Sequence, residues 1–171
     1  SGSFAANGLN QNSKNMISSV VWTTGAVEFT SENTISALDS YKKEQSELSG
    51  KACSSGTYCT DNVLRTFKWR GNVGLIYPSD YGYATSDEEC RVNIRNYSGE
   101  NCKSNDWLQD ESNYWTITSW PFTGDISAVN VWSIYSNGNA YHDYDAVNVL
   151  DVRPSVYLKP TVEIISGSGT K

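Results

Sequence analysis

Hydrophobic and polar positions alternate in short segments of this chain, and the clearest alternation predicts a β-hairpin. From residue 129 to residue 135, side chains alternate between the two faces of a predicted strand. Asn137-Gly138 follows, a dipeptide typical of two-residue hairpin turns, so Asn139 is predicted to begin the return strand. Compact apolar runs predict further strands, at residues 20–22, 73–77 and 114–117.

Helical periodicity is restricted to a few segments. Residues 4–19 predict a short helix, and residues 87–97 predict another that presents Cys90 to the loop around Cys102. Residues 31–48 predict the longest helix, with an apolar stripe made of Ile35, Leu38, Tyr41 and Leu48. Helices and strands are interspersed with long loops and show no βαβ rhythm. The pattern therefore predicts an α+β fold with a mainly antiparallel sheet and two or three helices.

The segment 69–84, WRGNVGLIYPSDYGYA, predicts a buried strand, a Pro-centred turn and a loop rich in Gly and Tyr. Trp69 and Tyr77 are expected in the core. The last long strand is predicted at residues 152–158, with an edge or bulge at Pro154 because proline cannot donate to a ladder. Arg153 is expected to pair with a carboxylate inside the fold.

Length and charge restrict the classes of function. A chain of 171 residues predicts one domain with a full core. The net charge of −6, with 13 scattered Lys and Arg residues, argues against binding to nucleic acid or anionic membranes, which require a basic patch. No stretch approaches the ~20 apolar residues of a membrane span, so direct membrane insertion is not expected.

The cysteines are Cys53, Cys59, Cys90 and Cys102. Their even number predicts disulfides and an oxidising compartment. Of the three pairings, Cys53–Cys59 with Cys90–Cys102 is favoured because each bond closes a short polar loop, which would stabilise the fold by roughly 2–3 kcal/mol. Zinc binding is the rival interpretation, but CxxC is absent and His142 is the single histidine.

Several segments, in this order, resemble the extracellular domains of prepilin-type, type IV pilin-like surface proteins of Gram-positive bacteria. They are residues 22–27, 69–84, 102–108, 114–118, 152–159 and 164–170, within a match to most of residues 15–170. The resemblance implies an extracellular, cell-surface location with anchorage by an N-terminal segment. Residues 1–3 resemble an expression scar, so we expect residues 4–171 to form a single extracellular globular domain.

The order of the motifs also resembles a C-type-lectin-like fold, with a pilin-like αβ-roll as the alternative. In the lectin-like fold, a final strand with an Arg near its start closes the sheet, as Val152-Arg153 would here. The Glu-Pro-Asn and Gln-Pro-Asp signatures of calcium-dependent lectins are absent. Calcium-dependent sugar binding is therefore not implied by the resemblance.

Aromatic residues between positions 115 and 145 form the candidate ligand-binding surface. Flat rings beside Asn and Asp suit sugars or protein hot spots. The alternative is that Trp115 and Trp132 belong to the core and the tyrosines are half-buried. The candidate ligand-binding residues are Trp115, Trp120, Tyr135, Tyr141 and Tyr144.

An oxygen-rich run near the C-terminus is the candidate calcium site. Its residues are Asp143, Asp145, Asn148 and Asp151. An Asp-x-Asp pair can direct two carboxylates to one side of a loop, which suits Ca²⁺, although the EF-hand pattern is absent. The alternative is a solvated acidic loop beside the hairpin, and no other cofactor is expected.

Motifs for catalysis are weak. The sequence has no Gly-x-Ser-x-Gly elbow, and His142 and Asp143 are neighbours that would point to opposite faces of a strand. We therefore expect a non-enzymatic domain for adhesion or ligand recognition, with a glycan or a host or bacterial surface protein as partner. The alternatives are a structural pilus subunit that packs against neighbouring subunits and, third, a secreted hydrolase.

Overall fold

The structure is a computed structural model that describes residues 7–24, 27, 34–45, 68–97, 100–120, 131–142, 148–163 and 165–166. It is an α+β fold with mainly antiparallel strand pairs, as the sequence predicts. The α-helices are α1 Gln11–Met16, α2 Ala37–Gln45, α3 Pro78–Tyr83 and α4 Glu100–Asn105. The strands are β1 Val20–Thr23, β2 Lys68–Gly71, β3 Gly74–Leu75, β4 Tyr114–Ser119, β5 Val131–Ile134, β6 Ala140–Tyr141, β7 Asp151–Val152 and β8 Pro154–Ser155. Each helix in these ranges is too short and too polar to cross a lipid bilayer.

The strands of the described ranges form one four-stranded sheet and two strand pairs. In the larger sheet the order is β6-β5-β4-β7, antiparallel except for the parallel pair β4–β7. β1 pairs with β2 and β3 pairs with β8, both antiparallel. The predicted strands at residues 20–22 and 114–117 are confirmed.

One face of the four-stranded sheet carries the core. Tyr114, Ile134 and Ala140 are paired across three strands, so their side chains share that face, and all three are fully buried. Trp132 is fully buried in the same cluster, which also contains Tyr81 of α3. The expectation that Trp132 is a core residue is confirmed.

The hairpin between β5 and β6 is confirmed at Asn137-Gly138. The amide of Gly138 donates to the Tyr135 carbonyl (2.8 Å), and the amide of Tyr135 donates to the Asn139 carbonyl (2.9 Å). Gly138 has φ +94°, in the region that glycine adopts without steric cost. The turn therefore depends on the missing side chain at this position.

We expect Gly138→Ala to lower the free energy of unfolding by about 1 kcal/mol because alanine is strained at positive φ. An added Cβ would lie 3.6 Å from the Lys103 side chain, an ordinary contact, so the loss would come from the backbone. Gly138→Asn should cost less, since asparagine tolerates positive φ better than alanine. Urea unfolding of the three proteins measures this, and equal stability of Gly138→Ala and the parent would contradict it.

Two predicted helices differ from those observed. Of the predicted apolar stripe, Ile35 is buried as expected and Leu48 lies outside the described residues. Leu38 and Tyr41 are exposed, whereas Ala37, Ser40 and Glu44 of α2 are buried, so the assignment of Leu38 and Tyr41 to the buried face was wrong. The buried face is polar because Glu44 receives hydrogen bonds from Ser40 and from α3. In residues 87–97 only a 3₁₀ helix forms, Glu89–Val92.

In residues 69–84 the strand predicted at residues 73–77 is reduced to β3, Gly74–Leu75, and the segment after it also differs from the prediction. The proposed turn and loop form helix α3, which begins at Pro78, a favoured first helical position. The Asp80 carboxylate accepts a hydrogen bond from the Tyr77 amide (2.9 Å) and so caps the helix. Tyr77 is buried as expected, but Trp69 is 40% exposed and stacks on Trp22, so the core assignment of Trp69 was wrong.

The predicted strand at residues 152–158 is divided between two sheets. β7 joins β4 and β8 joins β3, and the chain changes sheets at Arg153-Pro154. Arg153 pairs with the Asp110 carboxylate and lies 4.4 Å from the centre of the Tyr114 ring. The predicted pairing of Arg153 with a carboxylate is therefore confirmed.

The predicted disulfide between Cys90 and Cys102 is present, with the two Cα atoms 5.5 Å apart. It links the 3₁₀ helix to α4. Cys53 and Cys59 lie outside the described residues, so the second disulfide stays a prediction.

Candidate ligand-binding cleft

A cleft of about 400 Å³ opens between α3, the loop that follows α4, and the C-terminal segment after β8. Three segments far apart in sequence supply its walls, and β1 and the end of β3 supply its floor. The aromatic and polar residues of its lining are Trp22, Asp80, Tyr83, Trp107, Ser155 and Tyr157. The volume lies within the usual range for sites that bind small molecules.

Trp107 is the most exposed of the large side chains in the cleft, at 62%. The backbone around it is nevertheless fixed. The amide of Trp107 donates to the Ala84 carbonyl (3.3 Å), and the amide of Leu108 donates to the Asp106 carboxylate (2.7 Å). Leu108 is buried directly beside it. An indole is thus held at the surface by an ordered loop.

Buried tyrosines hold that loop in place. The Tyr97 hydroxyl donates to the Asp106 carboxylate (2.9 Å), and the Tyr114 hydroxyl donates to the Leu108 carbonyl (3.0 Å). Burial, together with the charge of Asp106, raises the pKa of both hydroxyls well above the usual range. The hydroxyls therefore stay protonated and keep donating, which makes the Trp107 wall rigid before any ligand arrives.

Asp80 supplies a carboxylate to the cleft. One of its oxygens, Oδ2, accepts the hydrogen bond from the Tyr77 amide, while the residue as a whole is exposed. Partial burial of the carboxyl raises the pKa of Asp80, an effect that this hydrogen bond opposes. The second oxygen, Oδ1, has no partner among the described residues.

Tyr157 also lines the cleft and packs against Trp22. Its ring centre lies 5.2 Å from that of Trp22, at an angle of 57°. The Trp22 indole donates to the Gly71 carbonyl (3.1 Å). Gly74 is needed here for a close approach, because a Cβ at this position would lie 2.5 Å from the Trp22 ring. The Ser18 amide donates to the Tyr157 carbonyl (2.8 Å) and fixes the segment.

The aromatic residues predicted to bind ligand, as far as the structure describes them, do not line this cleft. Trp120 stacks on His142 with ring centres 3.8 Å apart, Tyr141 stacks on the same His142 at 4.8 Å, and Tyr135 lies 5.8 Å from Tyr141. The structure thus brings three of the predicted residues together in one cluster around His142. His142 itself is only partly exposed.

Contacts within the protein occupy much of that cluster. The Arg95 guanidinium lies 4.4 Å from the centre of the Tyr141 ring and donates to its hydroxyl (2.6 Å). Trp115 lies one strand further along, in a row with Ser133 and Tyr141 on the same face of the sheet. Tyr144 lies outside the described residues. Ligand binding by these aromatic residues stays a prediction.

The predicted calcium ligands are only partly described. Asn148 and Asp151 are exposed, whereas Asp143 and Asp145 lie outside the described residues. Within the part of the chain that the structure describes, no three His, Cys, Asp or Glu side chains come close enough to hold a metal ion. The calcium site therefore stays a prediction.

Sequence reasoning missed the cleft because its residues lie outside the aromatic stretch 115–145 that was predicted to bind ligand. Asp80, Trp107 and Tyr157 belong to residues 69–84, 102–108 and 152–159, the segments that carry the family resemblance. An isolated Trp in the polar stretch NDWLQD was the one local signal. No protein-family model, curated protein sequence or solved structure matches this chain.

Proposed function

We propose that this protein is a non-enzymatic, extracellular domain of a pilin-like bacterial surface protein and that it recognises ligands through the cleft. The observation that carries the proposal is Trp107, a largely exposed indole on a loop fixed by a disulfide and buried hydrogen bonds. Exposed, preorganised aromatic side chains are the usual anchors of recognition sites. A purely structural loop would gain stability by burying this ring.

The chemical composition of the cleft supports binding rather than catalysis. Its aromatic walls offer stacking surfaces, and Asp80 and Ser155 offer hydrogen-bonding groups to orient a ligand. A glycan or a segment of a surface protein is the partner class that we propose. Hydrolysis would require a nucleophile paired with a base. The described lining residues show no such pair.

We expect Trp107→Ala to weaken ligand binding by about thirtyfold or more, the effect of removing an aromatic hot spot. Stability should change little, by less than about 1 kcal/mol, because the side chain is mostly in water. Arrays of glycans and of host surface proteins identify a ligand, and calorimetric titration then measures the affinity of both proteins.

Val149→Ala is the matched control, since Val149 is 97% exposed and does not line the cleft. It should leave both affinity and stability unchanged. If the parent domain binds nothing on either array, or if Trp107→Ala binds the ligand as tightly as the parent, the recognition function is refuted.

A structural pilus subunit is the second candidate, and the C-terminal segment favours it. Large apolar side chains are exposed along this segment: Val149, Val152, Val156, Tyr157, Leu158 and Ile165. Exposed apolar side chains that lie together mark protein–protein contact surfaces. In an assembled pilus these side chains would pack against a neighbouring subunit. Photo-crosslinking from position 149 on whole cells distinguishes the two functions, because only a structural subunit would form crosslinked ladders.

A further inference from the structure

We propose that the cleft binds a quaternary ammonium group, with the rings of Trp107 and Tyr157 against the cation and the Asp80 carboxylate balancing its charge. This inference rests on the proposed function and specifies the chemical class of the ligand. It combines three features of the described lining: exposed aromatic rings, one carboxylate and the lack of any Lys, Arg or His.

The aromatic rings provide the first part of the argument. The negative face of an indole or phenol ring attracts a cation within about 6 Å of the ring centre, and tryptophan does so best. Trp107 is 62% exposed and Tyr157 is 52% exposed, so both retain surface that a ligand can cover. They come from two separate segments of the chain and line the same cleft, so we place the cation against both rings.

The charge of the cleft provides the second part of the argument. Asp80 is the one acidic residue among the described lining residues, and its Oδ1 atom has no partner in the described part of the chain. The net charge of −6 for the whole chain also attracts cations over longer distances. An anionic ligand would be repelled by the same charges.

The ring of Tyr83 already contacts a cation that belongs to the protein itself. The Arg91 guanidinium lies 5.6 Å from the centre of the Tyr83 ring and donates to the Thr85 carbonyl (3.0 Å). One ring of the lining thus contacts a cation already, and a second positive charge would be repelled there. For this reason we assign the ligand contacts to Trp107 and Tyr157 and not to Tyr83.

The small number of hydrogen-bond acceptors favours a quaternary over a primary ammonium group. A primary ammonium brings three donors that need acceptors, yet the described polar side chains of the cleft are few: Asp80, Ser155 and the polar atoms of the aromatic rings. A quaternary ammonium has no N–H group to satisfy and is bound through rings and charge alone. The volume of about 400 Å³ holds a trimethylammonium group with space for the remainder of a ligand.

Choline and 3,3-dimethyl-1-butanol, its uncharged isostere with carbon in place of nitrogen, test the inference. We expect choline to shift the NMR resonances of the Trp107 and Tyr157 rings and to bind at least about tenfold more tightly than the isostere, because only choline gains the cation–π and carboxylate interactions. Equal affinity of the two compounds, or no shift at either ring in choline, would overturn it.

Asp80→Asn removes the charge and keeps an oxygen that can accept from the Tyr77 amide, so α3 stays capped. We expect this variant to bind choline about tenfold more weakly and to bind the isostere unchanged. Asp151→Asn is the matched control, since Asp151 is an exposed carboxylate that does not line the cleft. Unchanged choline affinity in a folded Asp80→Asn would refute the role of the carboxylate.

The two proposals fail in distinguishable ways. If an uncharged array ligand binds in a Trp107-dependent manner while choline does not, the ammonium inference is wrong and the recognition function stands. If neither choline nor any array ligand shows Trp107-dependent binding, both are wrong.

Discussion

Replacing Trp132 by alanine is expected to lower the free energy of unfolding by about 4 kcal/mol, the largest loss we predict for this protein. The Trp132 side chain is completely buried in the core, and its indole N–H donates to the Val27 carbonyl (2.9 Å). Alanine would leave a cavity the size of an indole and a buried carbonyl without its donor. A loss of this size is a large share of the stability of an ordinary domain.

Urea unfolding followed by circular dichroism measures the effect, with Trp69→Ala as the matched control. Trp69 is 40% exposed and stacks on Trp22, so its removal should cost much less, about 1–2 kcal/mol. Trp132→Phe should fall between the two because it fills part of the cavity but cannot donate. Equal losses for Trp69→Ala and Trp132→Ala would contradict the assignment of Trp132 to the core.

Local sequence signals predicted the central part of the fold. Alternation around Trp132 and the Asn137-Gly138 turn depend on neighbouring residues alone, and the hairpin formed where they indicate. The Cys90–Cys102 disulfide was predictable for the same reason, since the two cysteines bracket a short loop. Such features need no knowledge of the rest of the chain.

Helix α2 shows where local signals fail. Its apolar side chains Leu38 and Tyr41 suggested the buried face, yet Glu44 is buried instead. Glu44 can be buried because Ser79, 35 positions further on, donates its amide (2.9 Å) and its hydroxyl to the carboxylate. A periodicity analysis weighs hydrophobicity only and cannot include a partner from another segment.

The cleft illustrates the same limit for function. Asp80, Trp107 and Tyr157 line one cleft because β8 pairs with β3 and because the loop after α4 forms a hydrogen bond to Ala84. Nothing near any one of them indicates the other two. The stretch 115–145 was predicted to bind ligand because its aromatic residues are close in sequence. In the structure several of these rings contact each other and Arg95 instead.

Stability is expected to depend on pH through Glu44. The carboxyl is fully buried between α2 and α3, and burial raises its pKa from 4.5 to about 7, against the opposing effect of hydrogen bonds from Ser40 and Ser79. The nearby charge of Asp80 raises the pKa further. Because the folded-state pKa is higher than that of the unfolded chain, folding favours the protonated acid.

The sign of the effect follows from that difference. The stabilisation is fully present below about pH 4.5 and is lost as the pH rises through about 7, where the folded protein must ionise a buried group. A difference of this size corresponds to about 3 kcal/mol. We therefore expect the contribution of Glu44 to fall by this amount between pH 4.5 and pH 8.

Glu44→Gln isolates this contribution because glutamine has the shape of the protonated acid and cannot ionise. We expect the variant to lack the decline between pH 5 and pH 8 and to be more stable than the parent at pH 8, as measured by urea unfolding at a series of pH values. Glu163→Gln, at an exposed position, should retain the pH profile of the parent. If Glu44→Gln retains that profile as well, Glu44 is already ionised in the folded protein at pH 5, and the three hydrogen bonds from Ser40 and Ser79 outweigh its burial.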